Sequence, residues 1–353
     1  MSKNTEMPEL HPGLVVLFGS GETSPNGGRI FDSVAQRLAG RPRVAILETP
    51  AGFELNSARV AGRVADFLSQ RLQNYQPEIT VIPARKRNTP LSPDDPELIR
   101  PLFQSNLIFL GAGSPTYAVR QLRESRAWHT LLARHRQGAA IVMASAATIA
   151  ASAQALPVYE IYKVGENLHW QQGLDLFGAY GLSLIFIPHW NNAEGGAELD
   201  TSHCFMGQER FTQLLTLMLP EVTVVGIDEH TALVIDIEAT VCQVMGQGGV
   251  TVLRSGKEQF FASPQKFPLT ALGLFKLPPP TLGIPQTIWE ETLAARAEIA
   301  EPTISAEVIA LTEERQSARI RRDWLTADDL RRRIATLGWN VLDTPDGPRL
   351  ERR

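Results

Sequence analysis

Cysteine is scarce. Two in 353 residues exclude a disulfide-stapled scaffold and an all-cysteine zinc site. No run approaches about 18 uninterrupted apolar residues, so no membrane span is expected. The opening MSKNTEMPELHPG lacks the apolar centre of a signal peptide. An excess of one charge is missing too. Lys and Arg total 34 against 38 Asp and Glu, a net charge of −4, which excludes a polycationic nucleic-acid binder but leaves room for a local basic face. What is present, 43% hydrophobic and 20% charged residues, is the mix of a soluble protein with a sizeable core, expected in the cytoplasm. The length suits two domains, or one large domain with an appendage.

Short apolar runs alternate with helical stretches over the first two-thirds. LVVLF (14–18), VAILETP (44–50), ITVIPA (79–84), LIFLG (107–111) and AAIVMAS (139–145) are separated by helical patterns such as 30–39, 55–73 and 115–135. Runs this short predict buried parallel strands in a βαβ series. The expected fold class is α/β, a doubly wound and mostly parallel sheet with helices on both faces. Beyond residue 180, LSLIFIP, VTVVGI, ALVIDI, TVCQVMG and VTVLRSG include closely spaced strands that suit antiparallel additions. LPPPTLGIP (277–285) can continue neither a helix nor a central strand and reads as a linker. These breaks predict a first domain over 1–276, a Pro-rich linker and helix over 277–304, and a small module over 305–353.

Five strings bear on chemistry. In AAIVMASAATIAAS (139–152) an apolar strand runs straight into Ser145 and small residues that can start a helix, the layout of a nucleophile elbow. A serine there is equally a helix N-cap, and the string alone favours the cap. GAGSPTY (111–117) places two glycines at a strand end, where N–H groups can meet an oxyanion or simply make a turn. GSGETSPNGG (19–28) has similar chemistry but lacks the lysine of a phosphate loop and the spacing of a dinucleotide fingerprint. In IPHWNNAEGGAELDTSHCFMGQERF (187–211), His189 follows a strand directly and can serve a serine as base. In GIDEHTAL (226–233), Asp228 and Glu229 lie between two apolar runs, where a carboxylate can orient His189 or sit in a solvated turn. His203, Cys204 and His230 have no zinc-motif spacing, and no metal is expected.

Taken in order, GAGS, the Ser145 elbow, PHWNNAEGG and GIDEHTAL resemble the peptidase E and cyanophycinase family of serine peptidases, from about residue 14 to about residue 257. PHW with the following Gln-Glu-Arg is similar to peptidase E, and GIDEHTA to cyanophycinase. The resemblance implies a class I glutamine amidotransferase-like (flavodoxin-like) fold and no cofactor. It implies Ser145 as nucleophile, His189 as general base, and the Gly113 and Ala146 N–H groups as oxyanion hole. Glu229 matches the cyanophycinase acid. Peptidase E places its acid between serine and histidine, which makes Glu160 of PVYEIYK the alternative. The substrate implied is a small peptide or amide beside an acidic residue. One departure stands out: the family elbow Gly-x-Ser-Ala-Gly-Ala reads MASAAT here. Met143 and Ala147 replace glycines; Ala147 is the easier to fit and Met143 the harder, so the sequence leaves open both an active elbow and a relaxed turn that misaims Ser145. A relaxed elbow would leave a catalytically silent binding protein. The oligomeric state is open, and a homo-oligomer is compatible with every feature above.

The last segment, 305–350, reads as two helices and a hairpin. Thr326 is the expected N-cap with Asp329 at the capping-box position, Gly338 the helix stop, and Asp346-Gly347 the hairpin turn. Trp324, Leu325, Leu330, Ile334, Leu337 and Trp339 are the expected core. EERQSAR, DWLTADDLR and LGWNVLDTPDGPRL resemble the extreme C-terminus of bacterial cysteinyl-tRNA synthetases, which implies a role with tRNA. Arg315, Arg319 and Arg322 share an expected helical face that can meet phosphates. The interleaved Glu313, Glu314 and Asp323 favour an ordinary salt-bridged surface over tRNA binding.

Overall fold

The computed structural model describes residues 10–299, 306–344 and 347–352. The chain divides into two compact units, Met1–Arg296 and Ala297–Arg353. In the larger unit the apolar runs form β1 (Val15–Phe18), β2 (Arg43–Leu47), β3 (Glu78–Ile82), β4 (Leu107–Leu110) and β5 (Ala140–Ala144). Then come β6 (Gln154–Ala155), β7 (Gln171–Gln172), β8 (Leu184–Ile187), β9 (Thr223–Ile227) and β10 (Thr231–Asp236). The unit's last strands are β11 (Val241–Gly246), β12 (Gly249–Arg254), β13 (Lys257–Ala262) and β14 (Lys266–Pro268).

Among the described residues the main sheet runs β14-β11-β10-β1-β5-β4-β2-β3. Neighbours from β1 to β3 pair in parallel, while β10, β11 and β14 add antiparallel. The parallel strands bury both faces. Val15 and Leu17 enter one apolar cluster and Val16 and Phe18 the other, as the two-residue period requires. The strands past residue 180 do not all extend this sheet. β8 and β9 pair in parallel, and β12 and β13 continue them antiparallel in a second sheet, β13-β12-β9-β8. The chain leaves the second sheet at Ile227 and enters the main one at Thr231. The turn Asp228–His230 therefore joins the two sheets.

The Pro-rich stretch is fastened to the larger unit. Arg136 Nη1 donates to the carbonyls of Pro279 (3.1 Å) and Pro280 (3.0 Å). Ile284, Ile288 and Trp289 pack with Ala133, and Gln137 Nε2 donates to Thr292 Oγ1 at 2.8 Å. The helix Gln286–Ile299 thus starts within the larger unit.

The smaller unit holds helices Ala306–Ile320 and Trp324–Thr336 and the antiparallel pair β15 (Trp339–Thr344) and β16 (Gly347–Arg352). Its core is Val308, Leu311, Leu330, Ile334, Trp339 and Val341. Trp324, Leu325 and Leu337 are exposed instead (57%, 87% and 41%), because the second helix buries the stripe Ala327, Leu330, Ile334 and these three lie off it. The helix N-cap is Asp323, whose Oδ1 accepts the Thr326 N–H at 3.2 Å, so Thr326 lies inside the helix and does not cap it. Gly338, at φ 87°, follows the C-cap Leu337. Asp346 lies outside the described residues. Arg315 is buried and bidentate to Asp343 (2.8 and 3.0 Å), and Arg319 reaches the same carboxylate at 2.7 Å. Arg322 falls beyond the helix end at Ile320 and is exposed, so the three arginines do not share a helical face.

Candidate functional site

Ser145 follows β5 directly and caps the five-residue helix Ala146–Ala150. Its side chain accepts no bond from that helix, so it is not spent as an N-cap. Its backbone sits at φ 52° and ψ −112°, a conformation side-chain-bearing residues rarely adopt. The chain reverses there from strand to helix in one residue, and Oγ is left facing outward. Thr148 holds this turn: its Oγ1 lies 3.0 Å from the Phe18 carbonyl oxygen and 3.1 Å from that of Met143.

Met143 does not relax the turn. It is fully buried in the core cluster that also holds its register neighbours Leu17 and Leu110. The strand's alternation carries its side chain into the core, so the bulk that a glycine would avoid falls where there is room. Ala147 is likewise buried in the same cluster.

His189 follows β8 by one proline, at φ 52°. Its Nε2 lies 2.9 Å from Ser145 Oγ. Its Nδ1 lies 3.1 Å from Glu229 Oε1, on the turn that joins the sheets. Three loops thus converge at the carboxyl ends of β5, β8 and β9, where open α/β sheets place their sites. The groups form a continuous chain of hydroxyl, imidazole and carboxylate. With Nδ1–H donated to the carboxylate, Nε2 is free to accept from the serine hydroxyl.

The turn at Gly113 approaches the chain at Pro50 so closely that a Cβ would lie 2.1 Å from the Pro50 oxygen. Ser114 N–H donates to that same oxygen at 2.9 Å. Ala146 is the first helical residue after the elbow, so its N–H has no acceptor within the helix. Glu160 opens the π-helix Glu160–Val164, and its Oε2 is buried without a hydrogen-bond partner. Glu229, not Glu160, is the carboxylate on His189.

The walls are aromatic. Phe205 lies 6.3 Å from the His189 ring and 5.3 Å from Tyr162. The Arg210 guanidinium stands 6.0 Å from the Tyr162 ring and donates to the carbonyls of Met206 (2.8 Å) and Phe205 (3.1 Å). Trp190 packs edge-on to His203 at 4.3 Å, and Gly226 makes room for the indole, since a Cβ there would meet it at 2.2 Å. Burial in this aromatic nest lowers the His203 pKa. Burial pushes the Cys204 thiol up to about 12, and the nearby Glu229 charge adds to the effect. Asp228 is not on His189. Its Oδ2 accepts the Gly249 N–H at 2.8 Å, and burial, with some help from Glu229, raises its pKa. His230 N–H donates to Ser20 Oγ at 3.0 Å, which ties the first glycine-rich turn to this one.

Two asparagines escape a sequence reading. Asn191 Oδ1 accepts the Glu229 N–H at 2.8 Å, and Asn192 Nδ2 donates to Glu229 Oε1 at 3.2 Å. Their only signal is their position directly after His189 and Trp190.

No family model matches the chain. The C-terminal segment is similar to cysteine–tRNA ligases. The relative from Methanosarcina mazei is 38% identical over 64 residues, 18% of this chain and 14% of that protein. The one from Opitutus terrae is 38% identical over 101 residues, 29% of this chain and 18% of that protein. The chain therefore spans less than a fifth of the length of these curated relatives. Among solved structures, a peptidase from an acI-B1 Actinobacterium has a TM-score of 0.59 and 21% identity, over 73% of this chain and 97% of that one. That likeness shows the fold. A Listeria monocytogenes EGD-e structure described as a peptidase E protein has a TM-score of 0.43 and 15% identity, over 71% of this chain and 98% of its own. Among the described residues no helix is long and apolar enough to cross a membrane.

Proposed function

We propose that this protein is a serine hydrolase that cleaves a peptide or amide bond beside an acidic residue. The observation that carries the proposal is the unbroken chain Ser145 Oγ–His189 Nε2 (2.9 Å) and His189 Nδ1–Glu229 Oε1 (3.1 Å), built on a strained elbow. In this reading His189 takes the Ser145 proton as Oγ attacks the carbonyl carbon. The oxyanion so formed is met by the Gly113 and Ala146 N–H groups. The C–N bond then breaks, the leaving amine takes the proton from His189, and an acyl-enzyme remains on Oγ. Water, deprotonated by the same imidazole, releases the acid. Glu229 holds the imidazole in the tautomer with hydrogen on Nδ1 and offsets its transient positive charge. Arg210 supports the acidic preference: it lines the aromatic wall, and among the described residues no carboxylate pairs with it. The structural neighbour named a peptidase supports the same class of chemistry.

The test is hydrolysis of matched aminoacyl anilides with Asp, Asn or Leu at the acyl position, by wild type and Ser145→Ala. Turnover confined to Asp and lost in the variant supports the reading. Turnover that survives in Ser145→Ala would sink it.

A second reading gives the smaller unit a role with tRNA, favoured by its similarity to cysteine–tRNA ligases. Against it, Arg315 and Arg319 are committed to Asp343. Binding that weakens with salt, and falls further when the exposed Arg322 is changed to Ala with the smaller unit still folded, would favour it.

A further inference from the structure

We propose that Asn192 is a positioning residue that, with Asn191, aims the Glu229 carboxylate at His189; the role rests on the serine-hydrolase reading above. Glu229 stands on the turn between the two sheets, 27% exposed, on a side chain with three rotatable bonds. Left alone it would sample orientations that miss the imidazole. The segment that carries His189 prevents this two residues and three residues further on. Asn191 Oδ1 accepts the Glu229 N–H at 2.8 Å and pins the backbone of the turn. Asn192 Nδ2 donates to Oε1 at 3.2 Å, the oxygen that also accepts the His189 Nδ1–H. A carboxylate oxygen has two lone-pair directions, and two donors from one loop fill both.

The amide of Asn192 cannot turn over to present its oxygen instead. Its Oδ1 accepts the Glu194 N–H at 3.2 Å, and a carboxylate accepts only. Asn192 is 4% exposed, and its backbone N–H donates to the His189 carbonyl at 3.2 Å. The same carbonyl accepts the Cys204 N–H at 3.2 Å, and the Trp190 carbonyl accepts the His203 N–H at 2.8 Å. His203, Cys204 and Phe205 all sit at positive φ, so a constrained turn backs the loop from behind. The charged and titratable groups around the pair are Asp228 and His230 on the Glu229 turn, and His203 and Cys204 on the backing turn. None of these donates to the Glu229 carboxylate among the described hydrogen bonds, which leaves Asn192 as its holder.

The test reads the His189 ring directly and needs no turnover. With seven histidines in the chain, selective ¹⁵N labelling resolves the rings, and His189→Gln assigns the one of interest. In wild type the ring should carry hydrogen on Nδ1, with slow exchange of that proton with water. In Asn192→Ala the exchange should quicken about tenfold, and the Nε2–H tautomer should gain population. Asn192→Asp keeps the acceptor for Glu194 N–H, so the loop should stay folded, yet it replaces the donor with a like charge. The effect there should be at least as large. An unchanged tautomer and exchange rate in both variants would overturn the proposal. So would a loss of thermal stability with the ring resonances unmoved, which is what a structural residue would give. Failure of the hydrolase reading itself shows differently, as a wild-type Ser145 that does no chemistry beside a ring that still responds to Asn192.

Discussion

Strain at Ser145 makes a prediction about stability that needs no substrate. The residue holds φ 52° and ψ −112° while carrying a Cβ. Backbone strain of this kind costs about 1–3 kcal/mol. Ser145→Ala and Ser145→Gly both lose the 2.9 Å contact with His189, so that loss cancels between them. Alanine keeps the Cβ and the strain, whereas glycine removes both. Glycine pays an added chain-entropy cost of about 0.5–1 kcal/mol. The difference leaves Ser145→Gly more stable than Ser145→Ala by about 1 kcal/mol. In a unit of this size that is a rise of about 2 °C in Tm. Paired thermal scans at one rate and one concentration read it. An alanine variant as stable as the glycine variant, or more so, would refute the strain and with it the elbow.

Burial, reinforced by the Arg136 charge, holds the His135 pKa down at about 3. The unfolded chain takes up a proton below about pH 6.5 that the folded one refuses, so stability complete above that pH falls as the solution is acidified, by about 2 kcal/mol at pH 5. His135→Gln should lose less between pH 7 and pH 5 in urea unfolding, and an equal loss would contradict the account. Asp343→Asn leaves the buried Arg315 guanidinium without its countercharge and should loosen the smaller unit by about 2 kcal/mol, read as faster hydrogen exchange over residues 308–341. Because hydrogen bonds from Arg315 hold the Asp343 carboxyl below its usual range, the wild-type pair is fully stabilising above that usual range, weakens below it, and is lost once pH has fallen through the lowered value. Glu229→Gln should slow Ser145 labelling by a fluorophosphonate about a hundredfold, while Ser145→Ala should abolish it, since an orienting acid contributes less than the nucleophile. Equal losses would point to Glu229 as part of the fold alone.

Much of the site is legible in the sequence because it lies at strand ends. An apolar run stopping at Ser145, another at Pro188 before His189, and a carboxylate pair between two runs each mark a loop at one edge of a sheet. The alternation that makes β5 also settles Met143, although reading it against a glycine-bearing elbow points the other way. What was hidden depends on distance in space. Nothing in the order of residues says that Asn192 meets Glu229, 37 positions later, or that β8 and β9 form a sheet of their own. The smaller unit shows the same limit. Its helices are readable from periodicity and the stop at Gly338, but the N-cap falls at Asp323 and not at Thr326, and Arg315 reads as a surface cation until Asp343 folds back onto it. Trp324 and Leu325 read as core because apolar residues count alike in sequence, wherever the helix starts.

Whether Ser145 is an activated nucleophile is read by covalent labelling. The intact protein is treated with a fluorophosphonate, digested, and mapped by mass spectrometry. An activated Ser145 gives a single adduct there, absent in Ser145→Ala and strongly reduced in His189→Gln. No adduct on the wild-type protein, or an adduct on another serine with Ser145 unmodified, would contradict it.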